Sequence, residues 1–143
     1  MEHQPDPASR RTGRVAYVSR DELFGRADVL TIHLVLSERT RGLVGAAELA
    51  SMKPTAMLVN TSRGPIVDEQ ALIGALRSGS IAAAGLDVFD IEPLPAAHPL
   101  RSLDNVVATP HIGYVADRVY RTFYGEAAAE IARWLVEFGG SAR

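Results

Sequence analysis

Short apolar runs alternate with amphipathic stretches from residue 15 to residue 138, and this alternation limits the fold of the chain more than any other feature. Residues 15–18, 28–34 (DVLTIHL), 56–60 (AMLVN), 81–88 and 105–109 are short and rich in β-branched and aliphatic side chains, and they read as strands. Ser19 and Glu22 have capping-box spacing ahead of a short helix. Residues 46–52 form a second helix that stops before Pro54, because proline disfavours helical geometry in the residue preceding it. Asp68 caps a third helix through Arg77, with Leu72 and Leu76 on one face and Gly79 as its exit. Residues 115–138 read as one long helix, in which Val119, Phe123, Ala127, Ile131 and Leu135 recur every four residues until Gly139 and Gly140 end it. Strand followed by helix, repeated, predicts an α/β fold: a parallel sheet with flanking helices and right-handed crossovers.

Composition narrows the class. The chain has 143 residues, enough for one domain, and its 47% hydrophobic and 22% charged content excludes general disorder. A net charge of −2 argues against a nucleic-acid partner held by phosphate contacts. With no cysteine, disulfides, thiolate zinc, iron–sulfur clusters and a cysteine nucleophile are all excluded. Residues 1–14 (MEHQPDPASRRTGR) lack the apolar middle of an export signal and are expected to form a disordered leader. Arg10, Arg11 and Arg14 hint at a mitochondrial presequence, but Glu2 and Asp6 oppose it. Asp28, His33, Asp87 and Asp90 interrupt the longest apolar stretches, so no membrane span is expected. The expected organisation is a leader over 1–14, a domain over 15–138 and a tail over 139–143, in a cytoplasmic protein.

Ligands of open parallel sheets bind beyond the carboxyl ends of the strands, and polar residues gather at those ends here. Ser37 and Thr40 follow the second strand; Thr61-Ser62-Arg63-Gly64 follows the third. Asp87 and then Glu92-Pro93 follow the fourth, and Pro110-His111-Ile112-Gly113 the fifth. Each has a plainer reading: a solvated loop arginine, a turn acid, a loop histidine. Gly64 permits close backbone approach beside Arg63, and Asp87 stands at a strand end, where aspartate is disfavoured. His33 reads as a hydrogen-bonded structural histidine, and His3 and His98 receive no role. The four histidines show no i, i+4 or HxH pair, so no metal site is expected.

The phrases IHLVLSERTRGLVG, MKPTAMLVNTSRGPIVDEQAL, AGLDVFDIEPLP and NVVATPHIGY occur in this order. Together they make residues 15–138 resemble the nucleotide-binding domain of the D-isomer-specific 2-hydroxyacid dehydrogenases. The resemblance implies a Rossmann-like fold and oxidation of a 2-hydroxy acid, or reduction of a 2-oxo acid, with NAD or NADP. It implies a catalytic arginine, glutamate and histidine at Arg63, Glu92 and His111. A guanidinium holds a planar carboxylate with two charge-assisted hydrogen bonds. An imidazolium donates the proton as negative charge grows on the carbonyl oxygen, and a neighbouring glutamate favours its charged form. For cofactor contacts the resemblance implies Thr40, Thr61, Ser62, Arg63, Asp87, His111 and Gly113. It also implies a small 2-hydroxy or 2-oxo acid substrate and a homodimer.

Two departures from the family pattern stand out. Val35 occupies the place of the usual proline in the H-x-P-x-T phrase, and the chain has no G-x-G anywhere among its 12 glycines. The first βαβ unit with the G-x-G-x-x-G turn is therefore expected to be absent, and with it the acidic residue that reads the ribose. In a sheet of order 3-2-1-4-5-6 this leaves residues 15–18 orphaned and residues 28–34 as an open edge, and NAD binding is expected to be weak or lost. The competing reading is a non-catalytic interaction module derived from a dehydrogenase. A receiver-type flavodoxin-like domain would need clustered acids at the early strand ends, which the sequence lacks.

Overall fold

A computed structural model describes residues 11–12 and 15–138. Most of the expected leader lies outside the described residues, as does the 139–143 tail with Gly139 and Gly140. The chain divides into two compact units, Met1–Pro110 and His111–Arg143.

In the first unit, β1 (Arg11–Thr12) and β2 (Val15–Ala16) pair antiparallel, Arg11 opposite Ala16. Arg11 and Thr12 thus form a strand where the sequence pointed to an unstructured leader, and the expected strand over 15–18 shortens to two residues. Kept out of the main sheet, this segment satisfies its backbone groups with its immediate neighbours instead. Next comes α1 (Arg20–Arg26), entered through the expected capping box. Ser19 Oγ accepts from the Glu22 amide at 3.2 Å, and the Glu22 carboxylate accepts from the Ser19 amide at 3.1 Å.

The remaining elements alternate as expected: β3 (Val29–Ile32), α2 (Ala46–Ser51), β4 (Met57–Asn60), α3 (Glu69–Ser78), β5 (Ala83–Leu86) and β6 (Val106–Ala108). The four strands β3-β4-β5-β6 are parallel, with Leu30, Leu58, Ala84 and Val106 in register across the sheet. Residue alternation decides which face is covered. Leu30, Ile32, Leu58, Asn60, Ala84 and Leu86 are buried, together with Phe24 of α1, Leu49 of α2 and Leu72, Ile73 and Leu76 of α3. On the opposite face Val29, Met57 and Val107 are exposed. The flanking helices of this unit therefore cover one side of the sheet, and β3 and β6 are its edge strands.

α3 ends as its sequence requires. Asp68 accepts from the Ala71 amide at 3.0 Å, and Gly79 closes the helix with φ +71°, a left-handed conformation that costs a residue without Cβ little. The link from β5 to β6 holds no α-helix. A 3-10 turn, Pro99–Arg101, takes its place, and the Arg101 guanidinium donates to Leu94 O (2.9 Å) and Pro95 O (3.0 Å). The second unit is dominated by α4 (Asp117–Phe138), which starts two residues later than its periodicity implies. An Asp117–Arg121 ion pair at 2.7 Å braces its first turn, and none of its residues is buried.

Candidate active site

The third strand end shows how the chain holds a loop in place. Asn60, the last residue of β4, is 1% exposed. Its carboxamide accepts from the Ser62 amide and donates to Arg63 O, both at 3.0 Å. Ser62 Oγ donates to Ile32 O at the end of β3, at 2.8 Å. The turn over residues 61–63 is thereby clamped from inside and from the side, and Arg63 is left exposed with its guanidinium on Ser62 O. A buried amide with both ends used is stable where it stands. Asn60 was not singled out from the sequence, although an asparagine closing an apolar strand is itself out of place.

An open cleft of about 430 Å³ lies beside this turn, lined by His33, Leu34, Val35, Leu36, Thr61, Ser62 and Arg63. Thr40 does not line it but braces its wall, accepting from the Ser37 amide and donating to Val35 O, each at 2.7 Å. That bond shapes the loop at Val35, where the family pattern has proline. His33 is hydrogen-bonded, to Thr31 Oγ1 at 2.9 Å, but sits exposed beyond the end of β3 rather than within the strand. Aliphatic walls beside hydroxyl and backbone donors suit the flat, polar-edged rings of a dinucleotide.

Asp87, one residue past β5, is buried and earns its unusual place through Thr109, whose hydroxyl donates to its carboxylate at 2.5 Å. Its amide extends the sheet by donating to Asn60 O at 3.0 Å. Just beyond, two loops meet. A Cβ added to Gly64 would fall 2.1 Å from Phe89 C, 2.2 Å from Phe89 O and 2.7 Å from Asp90 N. Only glycine allows this approach, and it sets the Arg63 loop directly against the loop that carries Glu92. The Glu92 carboxylate turns back to accept from the Phe89 amide at 2.9 Å, and the Glu92-Pro93 peptide bond is cis.

Behind that loop sits an acid–imidazole pair that the sequence reading passed over. Glu69 Oε2 accepts from the Asp90 amide at 3.3 Å, and Glu69 Oε1 lies 3.1 Å from His98 Nε2. Both side chains are largely buried, at 13% and 16% exposure. Burial raises the Asp90 carboxyl above its ordinary value of 3.8; the negative Glu69 and Asp68 add to the effect, and Arg41 and His98 oppose it. The HPL phrase gave no sign of this role, because Glu69 is 29 residues away in the chain.

His111 and Gly113 belong to the second unit. His111 has φ +55°, a left-handed conformation that histidine tolerates better than most residues, and its ring meets Tyr114 edge-on at 6.3 Å. Of the nominated residues, the first unit therefore unites Thr61, Ser62 and Arg63 on the cleft, places Asp87 beneath the neighbouring strand end, and packs the Arg63 loop on the Glu92 loop. Among the described residues no group of three His, Cys, Asp or Glu is placed to hold a metal ion. No helix among them is long and apolar enough to cross a membrane.

Comparison with known proteins identifies the scaffold. Residues 2–113 match the family model described as D-isomer specific 2-hydroxyacid dehydrogenase, NAD binding domain. Glyoxylate/hydroxypyruvate reductase B of Yersinia pestis (strain Pestoides F) is 44% identical over 140 residues, which is 98% of this chain and 42% of that protein. Among solved structures, phosphoglycerate oxidoreductase from Vibrio cholerae o395 aligns with a TM-score of 0.76 and 38% identity, covering 90% of this chain and 43% of its own. D-isomer specific 2-hydroxyacid dehydrogenase from Xanthobacter autotrophicus Py2, in complex with NADPH and MES, aligns at 0.65 with 47% identity over 67% of this chain and 31% of its own. The chain thus spans less than half the length of each of these relatives.

Proposed function

The chain belongs to the D-isomer specific 2-hydroxyacid dehydrogenase family, within its NAD-binding domain, and from that premise we propose that it supplies the catalytic rim of an NAD(P)-dependent oxidoreductase. The substrate is a small 2-oxo acid or the matching 2-hydroxy acid, with glyoxylate and hydroxypyruvate first in line from the relatives' names. The single observation that carries the reading is the contact of Gly64 with the Phe89 carbonyl, which packs the loops of Arg63 and Glu92 together at the strand ends.

Arg63 holds the substrate carboxylate. Its guanidinium is exposed on a turn whose backbone is clamped by Asn60, so a rigid support carries a reachable fork of donors. His111 gives a proton to the carbonyl oxygen in reduction and takes one from the hydroxyl in oxidation. Glu92 is the acid that the family resemblance assigns to the same reaction. Thr61, Ser62 and Arg63 along the cleft, with Thr40, Asp87, His111 and Gly113, would hold the dinucleotide. When bound, its nicotinamide supplies or accepts the hydride. The working enzyme is a cytoplasmic homodimer without nucleic-acid partners.

The test is loss of reduced-nicotinamide absorbance when the purified protein meets NADH or NADPH with glyoxylate or hydroxypyruvate. Arg63→Ala lowers affinity and turnover together, whereas His111→Ala mainly lowers turnover. Unchanged turnover in either variant overturns the assignment. A second reading, drawn from the sequence, stands beside this one. On that reading the chain is a non-catalytic interaction module. Fluorescence titration with NADH separates the two: micromolar binding supports the enzyme, and neither binding nor turnover supports the module.

A further inference from the structure

One peptide unit, the bond joining Phe89 to Asp90, links the two loops at the strand ends. Its carbonyl side touches the α-carbon of Gly64, next to Arg63. The amide just before it, that of Phe89, donates to the Glu92 carboxylate. Its own N–H, on Asp90, donates to Glu69 Oε2. Anything that shifts this peptide shifts both Arg63 and Glu92, and the side chain that holds it is Glu69.

Glu69 is itself held. Its second oxygen faces His98 Nε2, and His98 Nδ1 accepts from the Leu100 amide at 3.4 Å. A nitrogen that accepts carries no proton, so the imidazole N–H is on Nε2 and donates to Glu69. The chain of contacts runs Leu100 amide, His98, Glu69, Asp90 amide, and each polar atom in it has one role only.

We propose that Glu69 is a positioning residue for Arg63 and Glu92, acting through the Phe89-to-Asp90 peptide, with His98 fixing its carboxylate. The proposal rests on the roles given to Arg63 and Glu92 above. Glutamine at position 69 cannot replace glutamate. It offers one acceptor oxygen where the Asp90 amide and the His98 N–H each need one, and its NH2 would face the N–H of His98.

Amide hydrogen exchange followed by NMR in the full chain tests this without cofactor. In Glu69→Gln and His98→Ala the Asp90 amide exchanges about tenfold faster, and the Gly64 and Phe89 amide resonances move. The core amide of Leu58 keeps its rate. His98→Gln restores a donor to Glu69 and brings the Asp90 rate back. In the turnover assay Glu69→Gln lowers kcat/KM for the 2-oxo acid about tenfold to a hundredfold, and His98→Gln recovers what His98→Ala loses. An unchanged Asp90 rate overturns the proposal, as does an equal rise at Asp90 and Leu58, which would make Glu69 a general stabiliser. Faster Asp90 exchange with unaltered kcat/KM also overturns it. If Glu69→Gln does not fold, the His98→Ala and His98→Gln pair decides by the same criteria. Absence of turnover in the unmutated protein refutes the functional reading alone, because the exchange and resonance shifts need no turnover.

Discussion

Replacing Gly64 with alanine puts one methyl group where the backbone of another loop already stands. The added Cβ would lie 2.1 Å from Phe89 C, so the two loops must part by about 1.3 Å to reach the 3.4 Å of ordinary contact. No flexible side-chain end is there to swing aside, since the three nearest atoms are all backbone. Overpacking of this kind destabilises by about 2–3 kcal/mol. A displacement near 1 Å between residues that must act on one substrate lowers turnover by about a hundredfold. Urea denaturation of Gly64→Ala measures the first effect, and NAD(P)H-linked turnover measures the second. Gly74→Ala is the internal control: it lies within α3 with nothing within 4 Å of its Cβ position, and it should stabilise by about 0.5–1 kcal/mol because alanine is the better helix former. Opposite signs from the same substitution are the expected outcome. A Gly64→Ala variant within about 0.5 kcal/mol of the unmutated chain, with unmoved Asp90 and Phe89 amide resonances, would refute the close-approach argument.

Asn60→Ala strips both partners from the 61–63 turn and leaves the Ser62 amide and Arg63 carbonyl unmatched; a loss of about 2–4 kcal/mol in denaturant unfolding is expected. Asp90→Asn has a pH-dependent effect. Because folding raises the Asp90 pKa from 3.8, chiefly through burial and then through Glu69 and Asp68, the folded state disfavours its charge. The variant should therefore be the more stable protein at neutral pH. Its advantage should shrink as pH falls through the raised value and vanish below 3.8, which thermal melts across that range would show. Ser19→Ala removes the acceptor of the α1 capping box and should cost about 1 kcal/mol, with no change in turnover.

Much of this architecture was legible in the residues. The Ser19 and Glu22 spacing, the Asp68 cap, the Gly79 exit and the β3, β4, β5 and β6 strands each rest on interactions within a few positions of chain, or on alternation that any reader can count. The extent of the elements was less legible: residues 81–88 shorten to Ala83–Leu86, the stretch in ladder register with β4 and, from Ala84, with β6. Residues 11–12 pair with 15–16, which a leader rich in proline and arginine did not announce. Of the candidate site, the motifs pointed to Arg63, Asp87, Glu92 and His111 without showing what supports them. Asn60, Glu69 and His98 stayed hidden, since an apolar strand end, a helix start and a proline-flanked histidine all have ordinary local explanations.

The sequence by itself determined the order of strands and helices, the family and the chemical types gathered at the strand ends, because periodicity, capping and motif spacing are short-range properties of the chain. Tertiary structure alone decided that Gly64 presses on the Phe89 carbonyl, that Thr109 holds Asp87, and that Glu69 joins His98 to the Asp90 amide. Those contacts link residues 21 to 29 positions apart, and their worth lies in burial and direction at a few tenths of an ångström, which exist only once the sheet has brought its strand ends together.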